Sequence, residues 1–129
     1  MKYLDSSALV KLVVAEDETS ALVEWLGESA LVSSLLAAVE VPRAVLGAGA
    51  GAAAVRRADD LLARLHLRGL DGEVVTATRA LPPGLRSLDA IHLATAQTLL
   101  PEVEEVVAYD RRLLEAATGA GVATASPGW

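Results

Sequence analysis

Short apolar segments alternate with helix-like segments along nearly the whole chain, and this alternation constrains the fold more than any other feature. The strand-like segments lie at residues 1–4, 30–33, 74–76, 106–109 and 122–124. Strands that alternate with helices favour right-handed crossovers and a parallel sheet covered on both faces. The sequence therefore predicts a single three-layer α/β/α domain over residues 1–129, with a central parallel sheet of four to five short strands.

The helical patterns are less regular and contain three local signals. Pro42 lies inside the apolar pattern 35–46, where it predicts a kink or a break. Asp71-Gly72 is typical of a turn and precedes the strand-like segment 74–76. Ser87 is a good N-cap and predicts a helix from there to about residue 99. Further helical patterns cover residues 7–14, 17–26, 54–65 and 110–118.

Composition excludes several classes of protein. The chain has no cysteine, so disulfide frameworks, thiol catalysis and thiolate metal sites are all excluded. Its net charge of −6 argues against broad, sequence-independent binding of nucleic acid. The uncharged run at residues 44–55 is shorter than the roughly 18 residues of a membrane span. Asp5 and Lys11 interrupt the N-terminal apolar stretch, so no signal peptide is expected and a cytoplasmic protein is predicted.

Four carboxylates stand where a parallel sheet would gather them. Asp5 and Asp110 follow strand-like segments, Asp89 lies in the first turn of a predicted helix, and Glu40 interrupts an apolar helical run after the second strand. Ligands of open parallel sheets bind at the carboxyl ends of the strands. Each acid also has a structural interpretation, because Asp5 and Asp110 suit helix N-caps and Asp89 suits the positive end of a helix dipole. Glu40 is the exception, since no cap is needed there.

Convergence of the four acids would require either a cation among them or protonation of some of them. Two like charges about 4 Å apart repel by roughly 4 kcal/mol at an effective dielectric of 20. An all-oxygen site of carboxylates, without thiolates, suits Mg²⁺ or Mn²⁺. Such ions lower the pKa of bound water and hold phosphate oxygens, so the residues point to metal-assisted phosphodiester hydrolysis.

The segments around these acids resemble the four motifs of PIN-domain proteins, in order and over essentially the whole chain. The segments are YLDSSALVKL from Tyr3, SSLLAAVEV from Ser33, LRSLDAIHLATA from Leu85 and AYDRRLLEAA from Ala108. At this chain length, the resemblance is to VapC-type toxins of toxin–antitoxin pairs. It implies an Mg²⁺- or Mn²⁺-dependent endoribonuclease that is inhibited by an antitoxin protein and forms a homodimer.

The resemblance also implies roles for single residues. Asp5, Glu40, Asp89 and Asp110 would bind the metal and activate the attacking water, and Ser7 would assist through its hydroxyl. Family members often carry a full helix before the third motif, and the sequence predicts that this helix is short or absent here.

Three nearby side chains are candidate contacts for the RNA substrate. His92 follows Asp89 by three residues and lies on the same helix face, where it is also suited to a half-buried structural role. Arg111 and Arg112 follow Asp110 directly, and solvated charge is their alternative. His66 falls in a helix tail and receives no role.

Other functions remain open at this point. A catalytically silent PIN-fold binding module would have the same motifs. A phosphoacceptor receiver domain also has alternating strands and helices with acids at strand ends, but it needs a lysine near its last strand. Lys2 and Lys11 are both N-terminal. Trp25, with Leu22 and Leu26, belongs either to the core or to an apolar surface for a partner.

Overall fold

The computed structural model describes all 129 residues, which form five short strands and seven helices. The strands are β1 (Lys2–Leu4), β2 (Leu31–Ser34), β3 (His66–Arg68), β4 (Glu105–Val107) and β5 (Thr124–Ala125). The helices are α1 (Ser6–Lys11), α2 (Thr19–Leu26), α3 (Ala37–Gly47), α4 (Ala52–Arg64), α5 (Gly72–Arg79), α6 (Ser87–Thr98) and α7 (Arg111–Gly119).

The five strands form one parallel sheet in the order β3-β2-β1-β4-β5. The predicted three-layer α/β/α architecture is therefore confirmed. Because β1 is central and β4 is its neighbour, the segments that follow these two strands leave the sheet side by side. This order also differs from the 2-1-3-4-5 order of receiver domains, so the receiver interpretation is wrong.

Alternate residues of the strands enter two separate cores, as the period of two in a β-strand requires. Leu4 and Val107 pack into one core with residues of α1 to α4. Tyr3 and Val106 pack into the other core with residues of α6 and α7. The buried apolar side chains other than Tyr3 are all alanine, valine and leucine, as the low aromatic content predicts. None of the helices is both long and apolar enough to cross a membrane.

The region between residues 66 and 80 differs from the sequence prediction. Residues 66–68 form the edge strand β3, although His66 was assigned to a helix tail, and the predicted strand at 74–76 lies inside helix α5. Asp71 is the reason, because its side chain accepts a hydrogen bond from the Val74 amide at 3.1 Å and so begins a helix rather than a turn. A helix of eight residues therefore precedes the third motif, so this helix is short, as predicted, but not absent.

Two smaller predictions are also corrected. Pro42 lies inside α3, which continues through it to Gly47. Ser87 is the first helical residue of α6 rather than its N-cap; that position belongs to Arg86, whose side chain makes no capping bond. Leu22 and Leu26 are in the core as predicted, whereas Trp25 is 36% exposed, with the Lys2 ammonium 4.1 Å from its ring centroid.

Candidate active site

Asp5 stands at the junction of β1 and α1 and makes two bonds with one of its oxygens. The Ser7 hydroxyl donates to Asp5 Oδ1 at 2.6 Å, and the Ala8 amide donates to the same oxygen at 3.0 Å. Ser7 Oγ in turn accepts from the Tyr109 amide at 3.0 Å, which ties α1 to the end of β4. The other oxygen, Asp5 Oδ2, has no protein donor. It contacts solvent, because every fully buried side-chain oxygen and nitrogen has a hydrogen-bond partner. Asp5 is thus an N-cap that keeps one oxygen free.

Asp5 is also electrostatically strained, because only 5% of it is exposed. Burial raises the pKa of Asp5 to about 6, against the lowering effect of the bonds from Ser7 and Ala8, and the negative charge of Asp89 raises it further. A carboxylate in this position is stabilised by any cation that approaches Oδ2. Its dependence on the charge of Asp89 also shows that the two acids face the same region.

Glu40 is held by two donors on neighbouring elements. The Ser6 hydroxyl donates to Glu40 Oε1 at 2.8 Å, and His92 Nε2 lies 2.6 Å from the same oxygen. Although partial burial acts to raise the pKa of Glu40, the hydrogen bonds from His92 and Ser6 hold it below its usual range. These bonds explain why an acid interrupts the apolar pattern of α3. Glu40 is the acceptor of a polar network, and its Oε2 has no protein partner.

His92 connects Glu40 to the core of the protein. Only 2% of His92 is exposed, and its Nδ1 lies 2.7 Å from the hydroxyl of the fully buried Tyr3. Since a carboxylate only accepts hydrogen bonds, Nε2 donates to Glu40, and Nδ1 is the ring nitrogen that pairs with the Tyr3 hydroxyl. His92 therefore positions Glu40 and does not contact Asp89. Its burial supports the structural role considered for it rather than contact with substrate.

Asp89 and Asp110 are bridged by an arginine. Arg86 Nε lies 3.3 Å from Asp89 Oδ2, and Arg86 Nη2 lies 3.5 Å from Asp110 Oδ2. As in Asp5, only one oxygen of Asp110 caps a helix. Asp110 Oδ1 accepts from the Leu113 amide at 3.0 Å and caps α7. The Arg86 side chain is 68% exposed, so the bridge is a surface contact of small energy. Sequence reasoning missed this role of Arg86; the signal was its position three residues before Asp89.

The acids therefore share one edge of the sheet but do not form a ready-made metal centre. No three histidine, aspartate or glutamate side chains lie close enough together to hold an ion. Two of the acids, Glu40 and Asp89, line an open cavity of about 300 Å³ together with Arg86, Ser87 and Leu88. The four carboxylates still fit a hard cation, which prefers oxygen ligands. Asp5 and Glu40 each keep one carboxylate oxygen without a protein donor. Asp89 and Asp110 are neutralised only by an exposed arginine.

The two arginines that follow Asp110 separate in the structure. Arg111 lies over the ring of Trp129, with its guanidinium carbon 5.7 Å from the ring centroid. Arg112 makes no ion pair, and it lines a second cavity together with the loop from Leu81 to Leu85.

Comparison with known proteins places the whole chain among close relatives. The family model described as PIN domain matches residues 2–119. Ribonuclease VapC35 of Mycobacterium tuberculosis is 43% identical over 135 aligned residues, which cover 99% of this chain and 98% of the relative. Ribonuclease VapC46 of the same organism is 48% identical over 128 residues, covering 97% and 96%. A solved chain of a toxin–antitoxin complex from Klebsiella pneumoniae has a TM-score of 0.73 at 20% identity over 98% of both chains, a likeness of fold.

Proposed function

The chain belongs to the PIN-domain family, and we propose that it is a metal-dependent endoribonuclease that acts as the toxin of a toxin–antitoxin pair. The observation that carries this proposal is the match of nearly the full chain to relatives named ribonuclease at 43% and 48% identity. The geometry supports it, since Asp5, Asp89 and Asp110 lie on elements that meet at one sheet edge.

Asp5, Asp89, Asp110 and Glu40 are the residues that would hold Mg²⁺ or Mn²⁺. Bound there, the ion would stabilise charge that develops on a phosphate and lower the pKa of water. Oδ2 of Asp5 and of Asp110 are the oxygens available for this, because each Oδ1 is engaged in capping a helix. Ser7 supports the site indirectly by holding Asp5 Oδ1 and therefore fixing where Oδ2 points.

Glu40 is suited to orient the attacking water, which would lose its proton to solvent. The pKa of Glu40 is held below the usual range, so it is ionised at neutral pH, and His92 and Tyr3 fix its position from the core. Hydrolysis then forms a bond between the water oxygen and phosphorus and breaks the bond to the leaving ribose oxygen, which takes a proton from solvent. Arg86 is exposed enough to leave the two aspartates and contact a phosphate oxygen.

We also propose that an antitoxin protein binds this chain and that two copies form a homodimer. The solved neighbour is a toxin–antitoxin complex, which motivates the first proposal. Exposed apolar side chains on and beside α3, namely Leu35, Val39 and Leu46, motivate the second. Light scattering of the purified chain distinguishes a dimer from a monomer directly. With no membrane-spanning helix, a cytoplasmic location fits the proposed RNA substrate.

The test is cleavage of total cellular RNA by the purified chain in Mg²⁺ or Mn²⁺, with fragment ends mapped. We expect discrete fragments that disappear on addition of EDTA and in Asp5→Asn. Asp17→Asn is the matched control, because Asp17 is an exposed aspartate without an ion pair. Intact RNA from a folded protein would instead favour the catalytically silent binding module.

A further inference from the structure

A second cavity lies beside the proposed active site and has no part in holding the metal. Its volume is about 430 Å³, which falls in the range of small-ligand sites, roughly 300–1,000 Å³. One wall is the loop from Leu81 to Leu85, the other is the face of α7 that carries Arg112, Glu115 and Ala116, and Leu93 of α6 forms part of the floor.

The floor of this cavity is preformed. Leu93 is 1% exposed, and Leu85 and Ala116 pack against the same buried core cluster. These side chains are therefore fixed by the fold, and a ligand would not have to order them. Their apolar surfaces suit a flat ring, because enzymes that act on nucleic acid hold displaced bases between apolar or aromatic side chains.

Each wall of the cavity begins next to a residue of the proposed active site. Leu85 precedes Arg86, and Arg112 follows Asp110 by two residues. Leu93 follows Asp89 by one helical turn, about 6 Å along α6. A nucleotide whose phosphate lies at Asp89 can therefore reach the cavity with its base.

The rim carries two unpaired side chains of opposite charge. Arg112 and Glu115 are exposed, and neither forms an ion pair or a side-chain hydrogen bond, although they are only three residues apart on α7. Arg112 offers only donors and Glu115 only acceptors. Guanine matches both, because O6 and N7 accept from arginine while its N1–H and N2–H groups are adjacent donors for a carboxylate.

We propose that this cavity is a subsite for a guanine base next to the cleaved phosphodiester. The proposal rests on the function proposed above and assigns part of its specificity to Arg112, Glu115 and the apolar floor. It also explains how an acidic chain selects RNA, since recognition of one splayed base does not require a broad basic surface.

Ala116→Leu tests the proposal by filling the cavity. Its matched control is Ala77→Leu, which adds the same side chain at a half-buried helical alanine in a separate hollow between α5 and α6. In Mn²⁺, with an RNA oligonucleotide that the wild type cleaves, we expect Ala116→Leu to raise KM at least tenfold and Ala77→Leu to leave it unchanged. Arg112→Ala and Glu115→Gln should reduce the preference for guanine over other bases at one position beside the cut.

A second measurement does not depend on cleavage. Methyl NMR spectra of the wild type in EDTA are recorded with increasing GMP, AMP, CMP or UMP. We expect the Ala116 and Leu85 methyl signals to shift at lower concentrations of GMP than of the others. The subsite is refuted, with RNA cleavage intact, if the variants cleave like wild type and these methyls do not respond. If GMP binds there but no RNA is cut, the base subsite stands and the proposed function fails. Methyls that respond to the antitoxin but to no nucleotide would refute the subsite as well.

Discussion

Replacing Asp5 by Asn should stabilise the metal-free protein at neutral pH while abolishing RNA cleavage. The native pKa of Asp5 is about 6, against 3.8 for the unperturbed side chain. The native state therefore binds the proton more tightly than the unfolded state, and stability falls as pH rises through the interval between the two values. At 1.36 kcal/mol for each pKa unit, ionised Asp5 costs about 3 kcal/mol at pH 7.5 and about 1 kcal/mol at pH 4.5.

Asparagine removes this cost and keeps the local structure. Its side-chain oxygen can still accept from the Ser7 hydroxyl and the Ala8 amide, so the cap of α1 is retained. The free energy of unfolding of Asp5→Asn should therefore exceed that of the wild type by about 3 kcal/mol at pH 7.5, and the difference should shrink towards pH 4.5.

Urea denaturation followed by circular dichroism in EDTA measures these differences, with Asp17→Asn as the exposed control. Excess Mn²⁺ should cancel most of this difference, because a ligand at 100 times its Kd would stabilise the wild type by about 2.7 kcal/mol and Asp5→Asn should bind it weakly. An Asp5→Asn protein that unfolds at lower urea than the wild type at pH 7.5 would refute the reasoning, since Asp5 would then be stabilising as a charge.

Three further predictions concern the neighbours of Asp5. Arg86→Met should increase the affinity for Mn²⁺ severalfold in calorimetric titrations, because it removes a cation that competes for Asp89 and Asp110; unchanged affinity would contradict the bridge. His92→Leu should lower the free energy of unfolding by more than about 2 kcal/mol, since it breaks the bonds to both Tyr3 and Glu40, and Tyr3→Phe, which breaks only one bond, should cost less, about 1 kcal/mol; equal losses in urea denaturation would argue against this order. Asp110→Ala should lose about 1 kcal/mol through the missing cap of α7, whereas Asp110→Asn should not, and thermal denaturation of the pair shows the difference.

Sequence reasoning succeeded where the signal is local and periodic. The positions of Asp5 and Asp110 after central strands, and their fitness as N-caps, follow from residue type and spacing alone. Both interpretations of these acids are compatible, because capping uses one oxygen and leaves the other available. The same aspartate can therefore cap a helix with one oxygen and offer the other to a ligand.

The errors occur where a tertiary contact outweighs local preference. Val74 and Val75, next to Thr76, favour a strand by propensity, but Asp71 caps the segment and packing against α6 makes it helical. Strand β3 was missed because three residues are too few to show a period, and its exposure at the sheet edge tolerates His66.

The partners of His92 and Arg86 were equally out of reach. His92 is joined to Glu40 across 52 residues and to Tyr3 across 89 residues, and no spacing rule connects positions so far apart. The spacing of Arg86 and Asp89 is local, but the second contact of Arg86, with Asp110, depends on α6 packing beside α7 in the fold.

In Asp5 and in Asp110 only one carboxylate oxygen caps a helix, and this has a genetic consequence. One base transition converts an aspartate codon to an asparagine codon, and the product exchanges the oxygen that faces solvent for an amide group while keeping the one that caps the helix. Under the proposed function, a cell that must silence this protein is therefore a single transition away from a copy that folds and accumulates. Selection for survivors should enrich Asp-to-Asn alleles over truncations wherever the inert protein is itself of use to the cell.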